Sequence, residues 1–305
     1  MSKSENWTQI AVATIGLVGT LGVALITSDR LASDPPEENL PENSLEQPDA
    51  PTQADQSEFR VGLTLTEFQT VFDEYVAKGY QLTSISVGDS PQQESYAGIW
   101  QESSERPWLA QAGLGPEEFL QTFEQRQAEG YRLRDIGCHW QDGETACTGI
   151  WGQASAPAGI VQLDLTASEF QLAFDEYLAN GYRLVNLDSY PAGAEARYAG
   201  MWEPADSQAY AAHLGLSTVE FQEIFDQYLD RGYRLLDISA VTVSGEASFA
   251  GIWEAAADSA WISRAGLSAQ ALEAADREYA VQGLRMIHVD GYGGGTYAAI
   301  WSGEE

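Results

Sequence analysis

A 51-residue step runs through this chain and limits its fold more than any other feature. Glycine recurs at Gly79, Gly130, Gly181, Gly232 and Gly283. The same step places an aromatic at Phe68, Phe119, Phe170 and Phe221, with Leu272 in the fifth copy. Tryptophan closes each copy at Trp100, Trp151, Trp202, Trp253 and Trp301, the last interval being three residues short. A fixed period of this size marks a repeat architecture, in which each unit is too small to bury a core alone and depends on its neighbours.

Within one copy the periodicity predicts a helix followed by a hairpin. Phe221, Ile224, Phe225 and Tyr228 fall at i, i+3, i+4 and i+7, a single apolar stripe. Ser217 with Glu220, Thr166 with Glu169, and Thr64 with Glu67 have the spacing of a capping box. The second copy opens on Gly115 and Pro116 instead. The glycine that follows suits the left-handed residue that ends a helix, because it has no Cβ to clash. A helix of about 14 residues is marginal alone, so its stripe needs the hairpin. The hairpin reads from GYRLLDISAVTV to EASFAGIW, with Ser244–Gly245 at its tip. Asp142–Gly143 takes the same position in the second copy and Gly293, Gly294 and Gly295 in the fifth. Asp-Gly favours a two-residue turn with positive φ at both sites. The fold class is therefore α+β, built from five helix-plus-hairpin repeats at about 59–104, 105–155, 156–206, 207–257 and 258–305. Trp108, Tyr210 and Trp261 mark patterned connectors, each followed by a Gly-Leu step.

Acids number 46 against 15 bases, a formal charge of −31. Nucleic-acid binding needs cations that displace counterions from phosphates, so a nucleic-acid partner is excluded. Such a surface keeps a protein soluble, and a salty habitat selects the same composition.

Residues 1–30 read as an N-terminal membrane anchor. Ile10 to Thr27 form 18 consecutive uncharged residues, long enough to span a bilayer. Trp7 stands at one interface, and Asp29–Arg30 mark the other. A cleaved signal peptide is the competing reading, with a shorter apolar region and a small-residue cleavage site as its marks. Residues 31–58 carry eight acids, five prolines and no base, a composition that predicts a disordered, extended linker.

From Arg60 to Trp301 the run of connector, capped helix, GYRL and YAGIW resembles the bacterial tandem repeat domains. Related copies form the N-terminal half of the polyglycine hydrolases, which are secreted serine peptidases. The resemblance implies that successive units wind into a superhelical β-corkscrew, a solenoid. It also implies that peptidase activity belongs elsewhere, because the family's catalytic serine lies in a β-lactamase-like domain after the repeats. No S-x-x-K and no G-x-S-x-G occurs in these 305 residues.

Other chemistry is equally sparse. His139, His213 and His288 fall at different repeat positions, and there is no H-E-x-x-H or C-x-x-C. The expectation is therefore no catalytic residue, no metal and no cofactor. Asp73–Glu74 and Asp175–Glu176 read as solvated helix faces rather than acid–base pairs or calcium ligands. Arg132, Arg183, Arg234 and Arg285 share one repeat position, with Gln81 in the first copy. A salt bridge to a helix carboxylate such as Asp175 or Asp226 is preferred to an anion-binding ladder, since surrounding negative charge repels an anion. Tyr96 and Trp100, Tyr198 and Trp202, Phe249 and Trp253, and Tyr297 and Trp301 lie four apart and share a strand face. Gly98, Gly149, Gly200, Gly251 and Ala299 stand between the paired positions. Their recurrence from copy to copy suits a core better than a glycan or peptide groove.

The only two cysteines test the compartment. With Asp142–Gly143 as the turn, Gln141 opposes Glu144, and alternation then sets Cys138 opposite Cys147 in a non-hydrogen-bonded pair. Such pairs bring Cα atoms to about 4.5 Å, within reach of a disulfide. Two free thiols in a reducing compartment are the alternative. These readings together predict a membrane-anchored protein with its repeats in the periplasm or extracellular space. It binds or scaffolds an unidentified protein or envelope ligand, with an accessory role beside a secreted serine hydrolase as the second reading.

Overall fold

The computed structural model describes residues 57–90, 93–102, 107–141, 143–154, 159–205, 208–255 and 260–303. The first repeat comprises β1 (Ser57–Leu63), α1 (Leu65–Ala77), β2 (Tyr80–Ser90) and β3 (Gln93–Glu102). The second comprises β4 (Trp108–Leu114), α2 (Pro116–Ala128), β5 (Tyr131–Gln141) and β6 (Glu144–Gln153). The third has β7 (Ile160–Leu165), α3 (Ala167–Ala179), β8 (Tyr182–Ala192) and β9 (Glu195–Pro204). The fourth has β10 (Tyr210–Leu216), α4 (Thr218–Asp230), β11 (Tyr233–Val243) and β12 (Glu246–Ala255). The fifth has β13 (Trp261–Ser268), α5 (Ala269–Ala280), β14 (Leu284–Tyr292) and β15 (Thr296–Gly303).

Each repeat is thus a helix with three strands rather than two. The connectors bearing Trp108, Tyr210 and Trp261 are strands that pair antiparallel with the last strand of their own repeat. In the fourth repeat Tyr210 opposes Glu254 and Ala211 opposes Trp253, and the register slips between His213 and Leu216. A left-handed residue causes the slip, at Gly62, Gly113, Asp164, Gly215 and Gly266 in turn. The bulge interrupts the alternation of buried and exposed residues, so the segment reads as a loop. The last strand lies central in every sheet, as in the order β1-β3-β2.

The helices follow their caps. Thr64, Thr166 and Ser217 each accept the amide three residues on, while Glu67, Glu169 and Glu220 reach back to the N-cap amide. Ser268 caps α5 through the amide of Ala271. Beyond each helix the repeated glycine is left-handed, with φ of +88° at Gly79 and +79° at Gly232. The helix stripe lies on the closing tryptophan: Phe221 and Tyr228 contact Trp253 with ring centroids 5.5 and 5.3 Å apart. A Cβ on Gly251 would stand 2.7 Å from the Trp253 ring, so the glycine two residues before the indole makes room for it. In the fifth repeat the Trp301 indole N–H donates to Asp276 at 3.0 Å. The earlier repeats carry Phe72, Phe123, Phe174 and Phe225 at that position, and their buried indole N–H groups have no hydrogen-bond acceptor among the described residues.

The repeats close into a ring. The second strands β2, β5, β8, β11 and β14 pack side by side, and β14 returns to pack on β2. Ser86 donates to Asp290 at 2.7 Å, and the Gly291 amide donates to Ser86 at 2.9 Å. Each core borrows residues from the next repeat's last strand: Ile150 enters the first and Ala199 and Met201 the second. Ala250 and Ile252 enter the third, and Ala298 and Ile300 the fourth. Ala97 and Ile99 of the first repeat complete the fifth. The superhelical corkscrew is therefore corrected to a closed five-membered ring. Closure is permitted where Gly88 meets Gly291, because a Cβ on Gly88 would lie 2.6 Å from the Gly291 carbonyl oxygen.

Two outcomes follow from this geometry. Gly232→Val should cost about 1–3 kcal/mol from backbone strain alone, since nothing crowds the site; an unchanged denaturant midpoint would exclude the strain. A circular permutant that joins repeat five to repeat one and opens between repeats two and three should fold to the same ring. Its far-ultraviolet dichroism and cooperative melting check this, and failure to fold would argue against closure.

Candidate functional site: the polar axis and the cross-linked hairpin

The inner strands carry a register shift in each repeat, between Leu133 and Asp135 in β5 and between Leu235 and Asp237 in β11. Beyond it, alternate residues leave the blade core and turn towards the neighbouring inner strands. One layer is Ser84, Asp135, Asn186, Asp237 and His288, and the next is Ser86, Gly137, Asp188, Ser239 and Asp290. All lie in the interior, His288 being the least enclosed.

Each carboxylate in these layers accepts a backbone amide from the preceding repeat. Asp135 takes the Ile85 amide at 2.7 Å, Asp188 the Cys138 amide at 2.6 Å, and Asp237 the Leu187 amide at 2.7 Å. Asp290 takes the Ala240 amide at 2.6 Å. Asn186 donates to Asp135 at 2.8 Å, and His288 Nε2 lies 2.8 Å from the Ile238 carbonyl and 3.2 Å from Asp237. Burial lifts the carboxyl of Asp237 to about 6 and that of Asp290 to about 6. It also raises Asp135, and it raises Asp188 well above the usual carboxylate range with added repulsion from Asp290. Burial pulls the imidazole of His288 down, but Asp237, Asp135 and Asp290 more than compensate and leave it raised.

The three histidines serve three different positions. His213 meets the Tyr228 hydroxyl at 3.0 Å, and burial pushes its imidazole down to about 4. His139 is buried on β5 with its ring 6.4 Å from Tyr96. Among the described residues no group of three or more His, Cys, Asp or Glu is arranged to hold a metal ion.

The arginine position resolves into ion pairs, but with strand glutamates. Arg132 pairs with Glu203, and Arg183 with Glu254 at 2.8 Å across the joint to the next repeat. Arg234 takes the other oxygen of Glu254 at 2.8 Å within its own sheet. The helix carboxylates Asp175 and Asp226 instead accept from Gln171 and Gln222 one turn earlier. Asp73 likewise accepts from Gln69, and Glu74 pairs with Lys78 on the surface. A cavity of about 40 Å³ beside Phe123, Tyr131, Arg132, Met201 and Glu203 has room for a few waters.

Cys138 and Cys147 are opposite each other in the hairpin and joined by a disulfide, with Cα atoms 4.1 Å apart. Gln141 opposes Glu144, so two residues form the tip; Gly143 has φ +93°, and Asp142 lies outside the described residues. Val87 opposite Tyr96 and Ala240 opposite Phe249 hold the same place in other repeats. Thr145 donates to Asp164 at 3.0 Å and meets the Tyr190 hydroxyl at 3.2 Å, fastening this hairpin to the third repeat. Trp140 is 36% exposed next to the tip, whereas the five repeat tryptophans are at most 1% exposed.

The polar layers escape a reading based on recurrence because their residues change from copy to copy. The signal was there: one strand position, otherwise among apolar residues, is Ser84, Asp135, Asn186, Asp237 and His288 in succession.

A ring of helix-backed three-stranded sheets, sealed by buried carboxylates, defines a repeat protein whose recurring residues are structural. The family model described as polyglycine hydrolase-like, structural repeat, matches residues 54–103, 105–154, 156–205, 207–256 and 258–302. The chain belongs to that family. Among the described residues no helix is long and apolar enough to cross a membrane; Ile10 to Thr27 and most of the 31–58 linker lie outside them.

The buried imidazole gives a pH test. With its pKa near 4 in the folded chain and about 6.5 unfolded, His213 contributes stability that is complete above pH 6.5 and lost as pH falls through 4. His213→Gln places there the residue that in the third repeat, as Gln162, donates to Tyr177 at 2.6 Å. It should remove an acid-side loss of at most about 3 kcal/mol, read as a flatter denaturant midpoint between pH 6.5 and 4. An unchanged slope would count against neutral burial of His213.

Proposed function

We propose that this protein is a membrane-tethered, extracytoplasmic module that binds or scaffolds a protein or envelope ligand and performs no catalysis itself. The observation that carries the reading is the disulfide between Cys138 and Cys147, because such bonds persist in oxidising compartments and are rare in reducing ones. The cross-linked hairpin also departs from the other four where it is exposed, presenting Trp140 at its tip. An exposed aromatic on a rigid hairpin suits contact with a partner, since aromatic residues are enriched at interfaces. Ile10 to Thr27 supply the tether, and the acidic, proline-rich stretch that follows, up to the start of β1 at Ser57, holds the ring away from the bilayer.

Support for a non-catalytic role comes from where the recurring polar groups go. Arg132, Arg183 and Arg234 are directed at Glu203 and Glu254, and the axial carboxylates at backbone amides inside the ring. The second reading, a substrate-presenting accessory to a secreted serine hydrolase, draws on membership of the polyglycine hydrolase-like repeat family.

The test uses the full chain in its native cells. A membrane-impermeant thiol reagent, applied to intact cells with and without prior reduction, should label Cys138 and Cys147 only after reduction, and the chain should stay with membranes through a carbonate wash. Absence of labelling even after reduction, or release by the wash, would overturn the tethered and exported reading, and labelling without reduction would overturn the disulfide that carries it. Peptide cleavage by the purified chain would overturn the non-catalytic one.

A further inference from the structure

Among the described residues no β-ladder joins neighbouring sheets, and at the axis each joint is held by a side chain that meets a backbone amide. A carboxylate is the strut in four of them: Asp135 to Ile85, Asp188 to Cys138, Asp237 to Leu187 and Asp290 to Ala240. The fifth joint, between β14 and β2, uses Ser86 as a relay from the Gly291 amide to Asp290. Asp290 therefore holds the ring on both sides of its own repeat. The joint between β14 and β2 differs in one further respect: the polypeptide does not run across it. At the other four, the chain leads from one repeat directly into the next.

The axis gathers acids without an equal number of cations. From β2 come Ser84 and Ser86, from β5 Asp135 and His139, and from β8 Asp188 and Tyr190. Asp237 comes from β11, and His288, Asp290 and Tyr292 from β14. Burial keeps the phenols of Tyr190 and Tyr292 protonated, that of Tyr292 up to about 12. At most His139 and His288 can be set as cations against four carboxyls, so full ionisation leaves a net negative charge in the buried interior, where repulsion is stronger than in water.

We propose that the axis is a pH-responsive clasp. In acid the ring is shut; as the axial carboxyls release protons to solvent, repulsion among Asp188, Asp237 and Asp290 loosens the joint between β14 and β2. Opening there withdraws Ala97 and Ile99 from the fifth core and bares an apolar strip on each side of the seam. The sign follows from the direction of every axial shift. The four carboxyls and His288 are all raised in the folded chain, so their stabilisation is full below the unfolded carboxylate range and is lost as pH rises through about 6 and beyond. His213 acts in the opposite sense between pH 4 and 6.5, but it lies on β10, away from the seam.

Hydrogen exchange of the full chain at pH 5 and pH 8, read by mass spectrometry and corrected for intrinsic rates, tests the clasp. Protection of peptides from β2 and β14 should fall at least tenfold more than that of peptides from β5 and β8. Asp188→Asn, which keeps an acceptor for the Cys138 amide, should abolish that difference. Equal loss along all five inner strands, or an Asp188→Asn protein with the wild-type pH response, would overturn the proposal. Ser86→Ala provides a second arm if the asparagine variant fails to fold. It should exchange rapidly at β2 and β14 even at pH 5, and wild-type protection there would equally refute the clasp.

Discussion

No repeat in this protein can bury its own tryptophan without help. The indole of Trp100 sits between the helix residues Phe68 and Tyr75, but the floor of that core is Ile150 from the following repeat. The loan passes round the chain, and the fifth repeat has no successor except the first. Ala97 and Ile99 satisfy that debt and so turn an open array into a ring. An isolated sheet and helix of this size would leave most of its apolar face wet, so the stability of each unit belongs to its joints. The joints also fix angle, because the side chains lent, Met201 apart, are alanine or β-branched isoleucine and pack at short range.

The axis introduces an opposing requirement. Its carboxylates satisfy amides that would otherwise be orphaned between sheets, and an unpaired buried amide costs about 1–3 kcal/mol. The same carboxylates are expensive to bury when charged. Because Asp135 is met by Asn186 and Asp237 by His288, neighbouring repeats are not interchangeable even though their outer residues nearly are. The polar layers thus specify which repeat follows which, a task that the uniform Phe, Gly and Trp positions leave open.

Much of this fold could be read from local chemistry, and the remainder depends on contacts between units. Capping boxes, the left-handed glycines and the hairpin register are set within a dozen residues, which is why the opposition of Cys138 and Cys147 followed from counting. The first strand of each repeat escaped because its left-handed residue, most often glycine, interrupts the period-two pattern, and because its partner lies some 40 residues further on. Closure was unreadable for a different reason. Whether five equal rotations make a ring or one turn of a spiral depends on a few degrees per joint, and no residue encodes that alone. Gly88 and Gly291 offer a hint only once their strands are known to touch. Arg132, Arg183 and Arg234 were paired correctly in kind but with the wrong carboxylates, since Glu203 and Glu254 lie on last strands, across the joint from Arg132 and Arg183 and within the sheet of Arg234, rather than along the helix.

The strand by which the chain enters the ring has a mechanical consequence. β1 is hydrogen-bonded to β3 in the first repeat, yet Phe59 and Val61 also pack against the core of the fifth. Tension applied to the polypeptide ahead of Ser57 is therefore delivered to the place where the ring's two ends meet. The remaining joints lie further along the load path and are backed by covalent chain. Under force on that end the ring should yield first at the seam between its fifth and first repeats, lengthening by unrolling rather than by tearing a sheet apart.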